Sequence, residues 1–205
     1  AQGFYAISKP DETQVYADAL ANINKRLGDY SIVVNIGASI VDNKYDELSY
    51  RGPIRANGIP NVFNVFDLDN TQKKARQDEW EEQTQSIFAS AEVGWKSMLY
   101  LTMTGRNDWA SQLANSSSTC FFYPSIGLSA VVSEMVKLPS FVDYLKVRSS
   151  FSSVGMPYPR NLTSPTFEYD ETTQTWKPKT HYPIGDLKPE RTDSWELGLD
   201  MRLFK

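Results

Sequence analysis

Residues 195–203, Trp195-Glu196-Leu197-Gly198-Leu199-Asp200-Met201-Arg202-Leu203, alternate between apolar residues and polar or small ones. Successive side chains of a β-strand point to opposite faces of the sheet, so this alternation predicts a strand with one apolar and one polar face. The apolar face would carry Trp195, Leu197, Leu199, Met201 and Leu203. The end of the chain is therefore predicted to be a two-faced β-strand.

The same period of two recurs about seven times along the chain. The alternating segments are residues 15–24, 32–40, 86–93, 99–106, 125–133, 145–152 and 195–203. Turn-forming residues join the first pair at Arg26-Leu27-Gly28-Asp29, and the short segment Trp95-Lys96-Ser97 joins residues 86–93 to 99–106, so both pairs are predicted to be antiparallel hairpins. The fold class expected from this pattern is all-β, an antiparallel meander in one continuous sheet.

Long segments alternate with short turns. Residues 42–83, 107–121 and 154–192 are rich in Pro, Asn, Asp and Ser and are expected to be long loops. Within the first, the charged residues 71–83 are expected to form either a short solvated helix or a strand extension. Short periplasmic turns and long extracellular loops are typical of outer-membrane barrels.

Composition argues against two classes of protein, helical membrane proteins and nucleic-acid-binding proteins. The chain has 205 residues, of which 40% are hydrophobic, and it contains no apolar run long enough for a transmembrane helix. A net charge of −4 without a long basic patch argues against nucleic-acid binding. The one cysteine, Cys120, is expected to be a packing residue. No signal peptide is visible at the start of the sequence.

Alternation alone fits both a membrane barrel and a soluble β-sandwich. A barrel requires the apolar rows to face outward, whereas a sandwich requires them to face one another inside. Strands of about ten residues and aromatic residues near strand ends favour the barrel. The alternative is a soluble surface sandwich that binds glycans through exposed aromatics such as Trp80, Trp109 or Trp176.

Four blocks of sequence, in order, resemble one known family. They are residues 99–111 (LYLTMTGRNDWAS), 122–134 (FYPSIGLSAVVSE), 145–155 (LKVRSSFSSVG) and 187–200 (LKPERTDSWELGLD). These blocks are similar to the C-terminal strands of SusC/RagA-like TonB-linked outer-membrane proteins. The resemblance is strong from about residue 85 onward and weaker before it.

The resemblance implies a transmembrane barrel of 22 strands around an N-terminal plug. Residues 1–205 would then be a partial barrel domain with about seven strands, lacking the plug and the remaining strands. The implied function is active import of a large nutrient, an oligosaccharide or peptide, across the outer membrane of a Gram-negative cell. The implied partners are the TonB energy-transducing complex acting through the plug, a SusD-like lipoprotein, and outer-membrane lipid.

No catalytic, metal or cofactor site is expected, and the chain is predicted not to be an enzyme. Asp67 and Asp69 could form an acid pair or a partial calcium loop, but the Gly and terminal Glu of an EF-hand are missing. His181, the single histidine, lies in a proline-rich segment without a nucleophile motif. A solvated loop is the preferred interpretation of both segments.

Two sets of residues are candidates for ligand contact. Arg106, Asp108 and Trp109 stand where a strand runs into a loop, and Trp109 could stack on a sugar or peptide group. The preferred alternative is structural, with Arg106 and Asp108 pairing across neighbouring strands and Trp109 anchoring the rim. The second set is expected to face the barrel lumen, mainly in cross-strand ion pairs, and comprises Lys146, Arg148, Glu196, Asp200 and Arg202.

Overall fold

The structure is a computed structural model. It describes residues 3–59, 61–156, 159–160, 162–163, 167–170, 173–178, 188 and 190–204. His181 lies outside these residues. None of the helices in the described part of the chain is both long and apolar enough to cross a membrane.

The described residues form nine β-strands. In chain order these are β1 (Phe4–Leu27), β2 (Tyr30–Pro53), β3 (Lys74–Trp95), β4 (Leu99–Ala110), β5 (Phe121–Val131), β6 (Val142–Met156), β7 (Phe167–Asp170), β8 (Thr175–Pro178) and β9 (Glu190–Leu203). Short helical turns occur at Val65–Asp67, Ser111–Leu113 and α1 (Val132–Met135). The last of these corrects the prediction that the strand continues to residue 133, because β5 ends at Val131 and the chain turns there.

Seven strands form one sheet in the order β1-β2-β3-β4-β5-β6-β9, and β7 pairs with β8 in a separate hairpin. The pairs β3–β4, β4–β5, β5–β6 and β6–β9 are antiparallel. Consecutive strands of the main sheet are neighbours, apart from the step over the β7–β8 hairpin. The all-β antiparallel meander of about seven strands is therefore confirmed.

The chain divides into two compact units. The first comprises residues 1–15, 41–83 and 165–182, and the second comprises residues 16–40, 84–164 and 183–205. The first unit thus contains the distal ends of β1, β2 and β3 together with the β7–β8 hairpin. The second contains the remaining parts of those three strands and all of β4, β5, β6 and β9.

Strands β2 and β3 are much longer than the alternation predicts. Residues 42–53 and 74–83, expected to be loop, are strand, so the strand-extension alternative for residues 71–83 is correct from Lys74 onward. Polar pairs between the two strands replace the apolar pattern here: Lys44 Nζ lies 3.3 Å from Glu81 Oε1, and Gln83 Nε2 donates to Asp42 Oδ2 at 3.2 Å. Because neither face of this extension is apolar, hydrophobic periodicity could not reveal it.

The apolar rows of the second unit are exposed while neighbouring polar residues are buried. Ile87 is 55% exposed, whereas the preceding residue, Ser86, is 2% exposed. The same inversion occurs in β2, where Ile36 is half exposed and Ser39 is buried. On β9, Leu197 reaches 87% exposure. A soluble sandwich would bury these rows, so the sandwich alternative is wrong.

Cross-strand register aligns the apolar rows into a continuous surface. Met103 lies opposite Ala91 on one side and Ile126 on the other, and Ile126 in turn lies opposite Phe151. Phe151 pairs with Trp195, and the two ring centroids are 4.8 Å apart. A side-chain period of two keeps the whole row on one face. The strands therefore present one apolar face and one polar face.

Candidate functional site

The polar face of the second unit contains a hydrogen-bonded network around Arg106. The Arg106 Nε donates to Asp108 Oδ1 at 2.7 Å, and its Nη2 donates to Ser86 Oγ at 2.8 Å. Asp108 is 8% exposed, so its carboxylate is compensated by a charged partner rather than by water. The expected pairing of Arg106 with Asp108 across strands is wrong, since both residues belong to β4 and the cross-strand bond goes to Ser86 on β3.

The aromatic ring of Phe88 lies against this network on the same face. The Arg106 guanidinium carbon lies 5.8 Å from the centroid of the Phe88 ring. Phe88 in turn covers Gly37, where a Cβ atom would come within 2.5 Å of Phe88 Cζ and 2.9 Å of the Ala19 carbonyl oxygen. Glycine is therefore required at position 37 for the ring to lie against the sheet. Arg106 is thus contacted by Asp108, Ser86 and the Phe88 ring.

A small apolar cluster lies beside the network at the end of β4. Ala110, Leu113 and Phe121 are buried together, and Tyr123 packs against them with its ring 5.2 Å from that of Phe121. Tyr123 is opposite Arg106 in the register of β4 and β5. This cluster fixes the start of β5 relative to the network.

Trp109 lies on the other face of the sheet from Arg106 and Asp108. It pairs with Gln85, one position away from the Ser86–Asp108 pair, and adjacent positions on a strand point to opposite faces. Its side chain borders an open apolar groove of about 560 Å³ together with Ala17, Ala38 and Ile87. A single ligand cannot contact all three candidate residues from one side of the sheet, so the grouping of Arg106, Asp108 and Trp109 in one site is corrected.

The five residues expected to face the lumen lie on the polar face. Lys146 is opposite Asp200, Arg148 is opposite Gly198, and Glu196 is opposite Ser150. Arg202 is opposite Tyr144, with its guanidinium carbon 5.7 Å from the ring centroid. The register thus places charges of both signs along the two last strands.

Gly198 makes room for the Arg148 side chain. A Cβ at position 198 would collide with the Arg148 Nε and lie 2.6 Å from its Cγ. Arg148, Glu196 and Ser150 line a trough of about 580 Å³ whose remaining lining includes Thr102, Gly127 and Ser129. The lining also includes the apolar residues Leu128, Trp195 and Leu197, so the trough is mixed in character.

In the first unit, Asp67 and Asp69 hold a loop together. Asp67 Oδ1 accepts a 2.8 Å hydrogen bond from Arg55 Nη2, and Asp67 is 4% exposed. Asp69 Oδ1 accepts from the Thr71 backbone N–H at 2.8 Å and from its hydroxyl at 2.6 Å, which lowers the pKa of Asp69. These bonds occupy both carboxylates. Across the described residues, no group of three or more potential metal ligands is found.

The strand extension carries a second polar cluster on β2. Tyr45 stacks on Trp80 with centroids 5.4 Å apart, and its hydroxyl donates to Glu47 Oε2 at 2.6 Å. Glu47 also accepts from the Ser8 hydroxyl. The apolar row of β2 ends at Ile40, so this cluster lies outside the apolar part of the strand. The hydrogen bonds from Ser8 and Tyr45 lower the pKa of Glu47, and the bond to Glu47 raises that of Tyr45 to about 12.

Sequence reasoning missed a cationic cavity in the first unit. Arg51, Lys74, Arg76 and Lys177 line a space of about 390 Å³ with Glu168, Tyr169 and Asp170. The cations come from three strands that are far apart in sequence. The run Lys73-Lys74-Ala75-Arg76 was the one local signal, and it indicated charge without indicating what faced it.

The family match and the similar solved structures agree with the all-β fold. The chain matches the family described as TonB dependent receptor-like, beta-barrel, over residues 4–205. Among solved structures it is similar to the RagAB peptide transporter (TM-score 0.75) and to the RagAB peptide importer in the open-open (0.73) and closed-closed (0.71) states. Each shares 14% sequence identity, and the match covers 97% of this chain and 22% of the other. No curated protein sequence matches the chain.

Proposed function

Because the chain belongs to the TonB-dependent receptor-like β-barrel family, we propose that it forms part of the wall of an outer-membrane transporter that actively imports a large nutrient. The observation that carries the proposal is the exposed apolar face, on which Ile87 is 55% and Leu197 is 87% exposed. Such a face is stable when it contacts lipid. The strands thus cross the outer membrane of a Gram-negative cell as a multi-pass sheet.

The polar face lines the passage in this proposal. Lys146, Arg148, Glu196, Asp200 and Arg202 carry charges of both signs that meet the plug, water or passing ligand. Energy comes from the TonB complex acting through the plug, and no bond of the nutrient is broken. The family consists of transport proteins, so we propose no catalytic activity for the chain.

The nutrient is proposed to be an oligosaccharide or a peptide, delivered with the help of a SusD-like lipoprotein. The likeness to RagAB, whose structures are described as a peptide transporter and importer, supports import of a large ligand. The strand extensions beyond Ile40 carry polar and aromatic residues on a surface outside the apolar band. Such a surface suits capture of a hydrated ligand better than contact with lipid.

Uptake in living cells tests the transport proposal. Cells that produce the complete protein are given fluorescently labelled oligosaccharide or peptide pools, and retained label is measured with and without a functional TonB gene. We expect accumulation that disappears when TonB is deleted, while a general porin marker continues to enter. Uptake that is equal in both strains would mean passive diffusion and would refute active import.

Affinity purification tests the partner. The complete protein, carrying a tag on a periplasmic turn, is extracted in mild detergent from its native outer membrane. We expect a surface lipoprotein to copurify in a fixed ratio and to be absent from a parallel preparation of an unrelated tagged barrel. Recovery of the receptor alone under conditions that preserve other outer-membrane complexes would contradict a SusD-like partner.

A further inference from the structure

The apolar face of the second unit contains an open groove across four neighbouring strands, β1 to β4, with a volume of about 560 Å³. The residues that line it with side chains on this face are Ala17, Ala19, Ala38, Ile40, Gln85, Ile87 and Trp109. Asp18, Ser39 and Ser86 also border it, but they alternate with these residues and direct their side chains to the polar face. The groove is therefore a hollow in the outer surface of the sheet.

Side-chain size accounts for the hollow. Three of the lining side chains are alanines, each with a single methyl group. Elsewhere on the same face of β1 and β2 stand Ile23 and Ile36, which are about half exposed. Ile87 and Trp109, on β3 and β4, are also large and remain 55% and 40% exposed. The surface is thus lower at the alanines than at the isoleucines and the tryptophan.

The groove lies at the border of the apolar rows that is distant from the short turns. It is roughly ten residues along each strand from the turns after Leu27 and Trp95, which is about the length of a strand that crosses a bilayer. Ile40 is the last apolar residue in the row of β2. Trp109 pairs with Gln85 at this border, and tryptophan is enriched at the membrane–water interface. The groove therefore runs from the level of the lipid headgroups into the hydrocarbon.

The surroundings of the groove indicate its occupant. The chain belongs to the TonB-dependent receptor-like β-barrel family, and the groove is continuous with the exposed apolar face that contacts lipid in the proposed function. Water is a poor occupant, because an apolar hollow offers it few hydrogen-bond partners. A lipid acyl chain in the groove has protein atoms beside it as well as beneath it, and each added contact contributes dispersion energy. The groove should hold such a chain more tightly than a flat part of the face.

We propose that this groove binds one acyl chain of a membrane lipid, which enters at the level of Trp109 and Gln85 and lies over the three alanines. The volume of about 560 Å³ is within the range of about 300–1,000 Å³ that is common for ligand sites. The inference rests on the proposed position of the strands in the outer membrane and does not depend on the nutrient. It adds a lipid ligand on the outside of the sheet to the nutrient proposed for the other side.

Lipid retention by the complete protein tests the site. The protein is extracted in mild detergent, washed extensively with lipid-free detergent and weighed by native mass spectrometry. We expect the parent protein to retain a lipid. Ala38→Leu should retain it at least about fivefold less, because the leucine side chain takes the place of about three methylene groups of the lipid. Ala19→Leu should have the same effect.

Ala21→Leu is the matched control, because Ala21 is on the same strand and face as Ala19 but does not line the groove. It should retain the lipid as the parent protein does, and heat-modifiable migration shows that each variant is folded. A parent protein without retained lipid, or equal retention by folded Ala38→Leu and the parent, overturns the inference. An equal loss in Ala21→Leu also overturns it, since the lipid would then bind the whole face.

A second copy of the chain is the other possible occupant, and the same spectra distinguish it. If Ala38→Leu dissociates an oligomer and leaves lipid retention unchanged, the groove is an interface between copies and the lipid site is wrong.

Lipid retention is measured without TonB and without a nutrient, so it separates this inference from the transport proposal. TonB-dependent uptake by a protein that retains no lipid removes only the lipid site. A retained lipid that depends on Ala38, together with uptake that does not depend on TonB, removes only active import.

Discussion

Adjacent residues on a strand of this sheet lie on opposite faces and have different environments. Asp108 and Trp109 are an example. Asp108 is buried in a polar network, whereas Trp109 borders an apolar groove on the other face. The two carry different roles although they are adjacent in sequence. The effect of a substitution on stability should therefore be compared with that of a control on the opposite face of the same strand.

Removal of the Asp108 carboxylate should destabilise the polar network. Asp108→Ala removes the carboxylate to which the Arg106 Nε donates and leaves the guanidinium bonded to the Ser86 hydroxyl, and we expect a loss of about 1–3 kcal/mol in the free energy of unfolding. Urea unfolding of the complete protein in lipid vesicles measures it. Asn107→Ala, on the opposite face of the same strand, is the control and should cost less. Equal losses for the two variants would show that the network contributes nothing specific.

The turn between β3 and β4 carries backbone strain. Lys96 and Ser97 have φ of 51° and 58°, and the Met98 N–H donates to the Trp95 carbonyl at 2.9 Å. Side chains disfavour this left-handed conformation and glycine does not, so Ser97→Gly should stabilise folding by up to about 1 kcal/mol. The shift in urea midpoint measures it, with Ser97→Ala as the control. A gain from alanine, or a loss from glycine, would contradict the strain.

At the scale of the element, β2 consists of two parts with different stabilisation. Up to Ile40 its apolar row forms one face, and beyond it polar pairs with β1 and β3 hold the strand. In the second unit, Asn35 Oδ1 accepts from Asn22 at 2.5 Å while Asn35 Nδ2 donates to Ser90 at 3.0 Å, a ladder across three strands. In the first unit, Glu47 receives hydrogen bonds from Ser8 and Tyr45. The polar part should therefore respond to pH.

Acid should loosen the strand extension through Glu47. Hydrogen bonds from Ser8 and Tyr45 lower the pKa of Glu47 in the folded protein, so its contribution to stability is present above the usual glutamate pKa and is lost as pH falls through the lowered value. Hydrogen-exchange protection of residues 45–49 should fall over that range. In Glu47→Gln this pH-dependent part should be absent. An identical pH profile in both proteins would exclude Glu47 as the cause.

At the scale of the whole molecule, the exposed apolar face of the second unit is the dominant feature, with Ile87 and Leu197 exposed while Ser86 and Asp108 are buried. Such an arrangement is unstable in water and stable when lipid contacts the apolar face. The described core is correspondingly small, with Leu68, Ala110, Leu113, Phe121 and Val131 as its buried apolar residues. Burial inside the chain is thus not the main source of stability.

A charged residue placed on the apolar face tests whether that face contacts lipid. Leu197 is 87% exposed, so Leu197→Arg would be harmless in a soluble protein, but in a membrane it should cost about 2–4 kcal/mol if the residue lies near the bilayer centre. Folding of the complete barrel into vesicles, followed by heat-modifiable migration, measures the effect. Glu196→Arg places the same side chain on the polar face and should fold with a smaller loss. Normal folding of Leu197→Arg with failure of Glu196→Arg would reverse the assignment of the faces.

Local sequence was sufficient for the faces of the strands and for the family. Strict alternation in residues 195–203 determines which side chains share a face, because a strand has a fixed period of two. The turn at Gly28, with φ of 58°, was likewise predicted from local chemistry. These features depend on residues close together in the chain, so they can be read without knowing the fold.

The tertiary structure decided the features that depend on pairing between distant residues. Residues 42–53 and 74–83 lack an apolar period, and they continue the paired strands β2 and β3 with polar contacts between them such as Lys44 to Glu81. The cationic cavity forms only where Lys177 of the hairpin meets Arg51 and Arg76. Hydrophobic alternation is a local property of the chain. Polar pairs and cavities depend on contacts between residues that are far apart in sequence, and the sequence pattern does not indicate which residues pair.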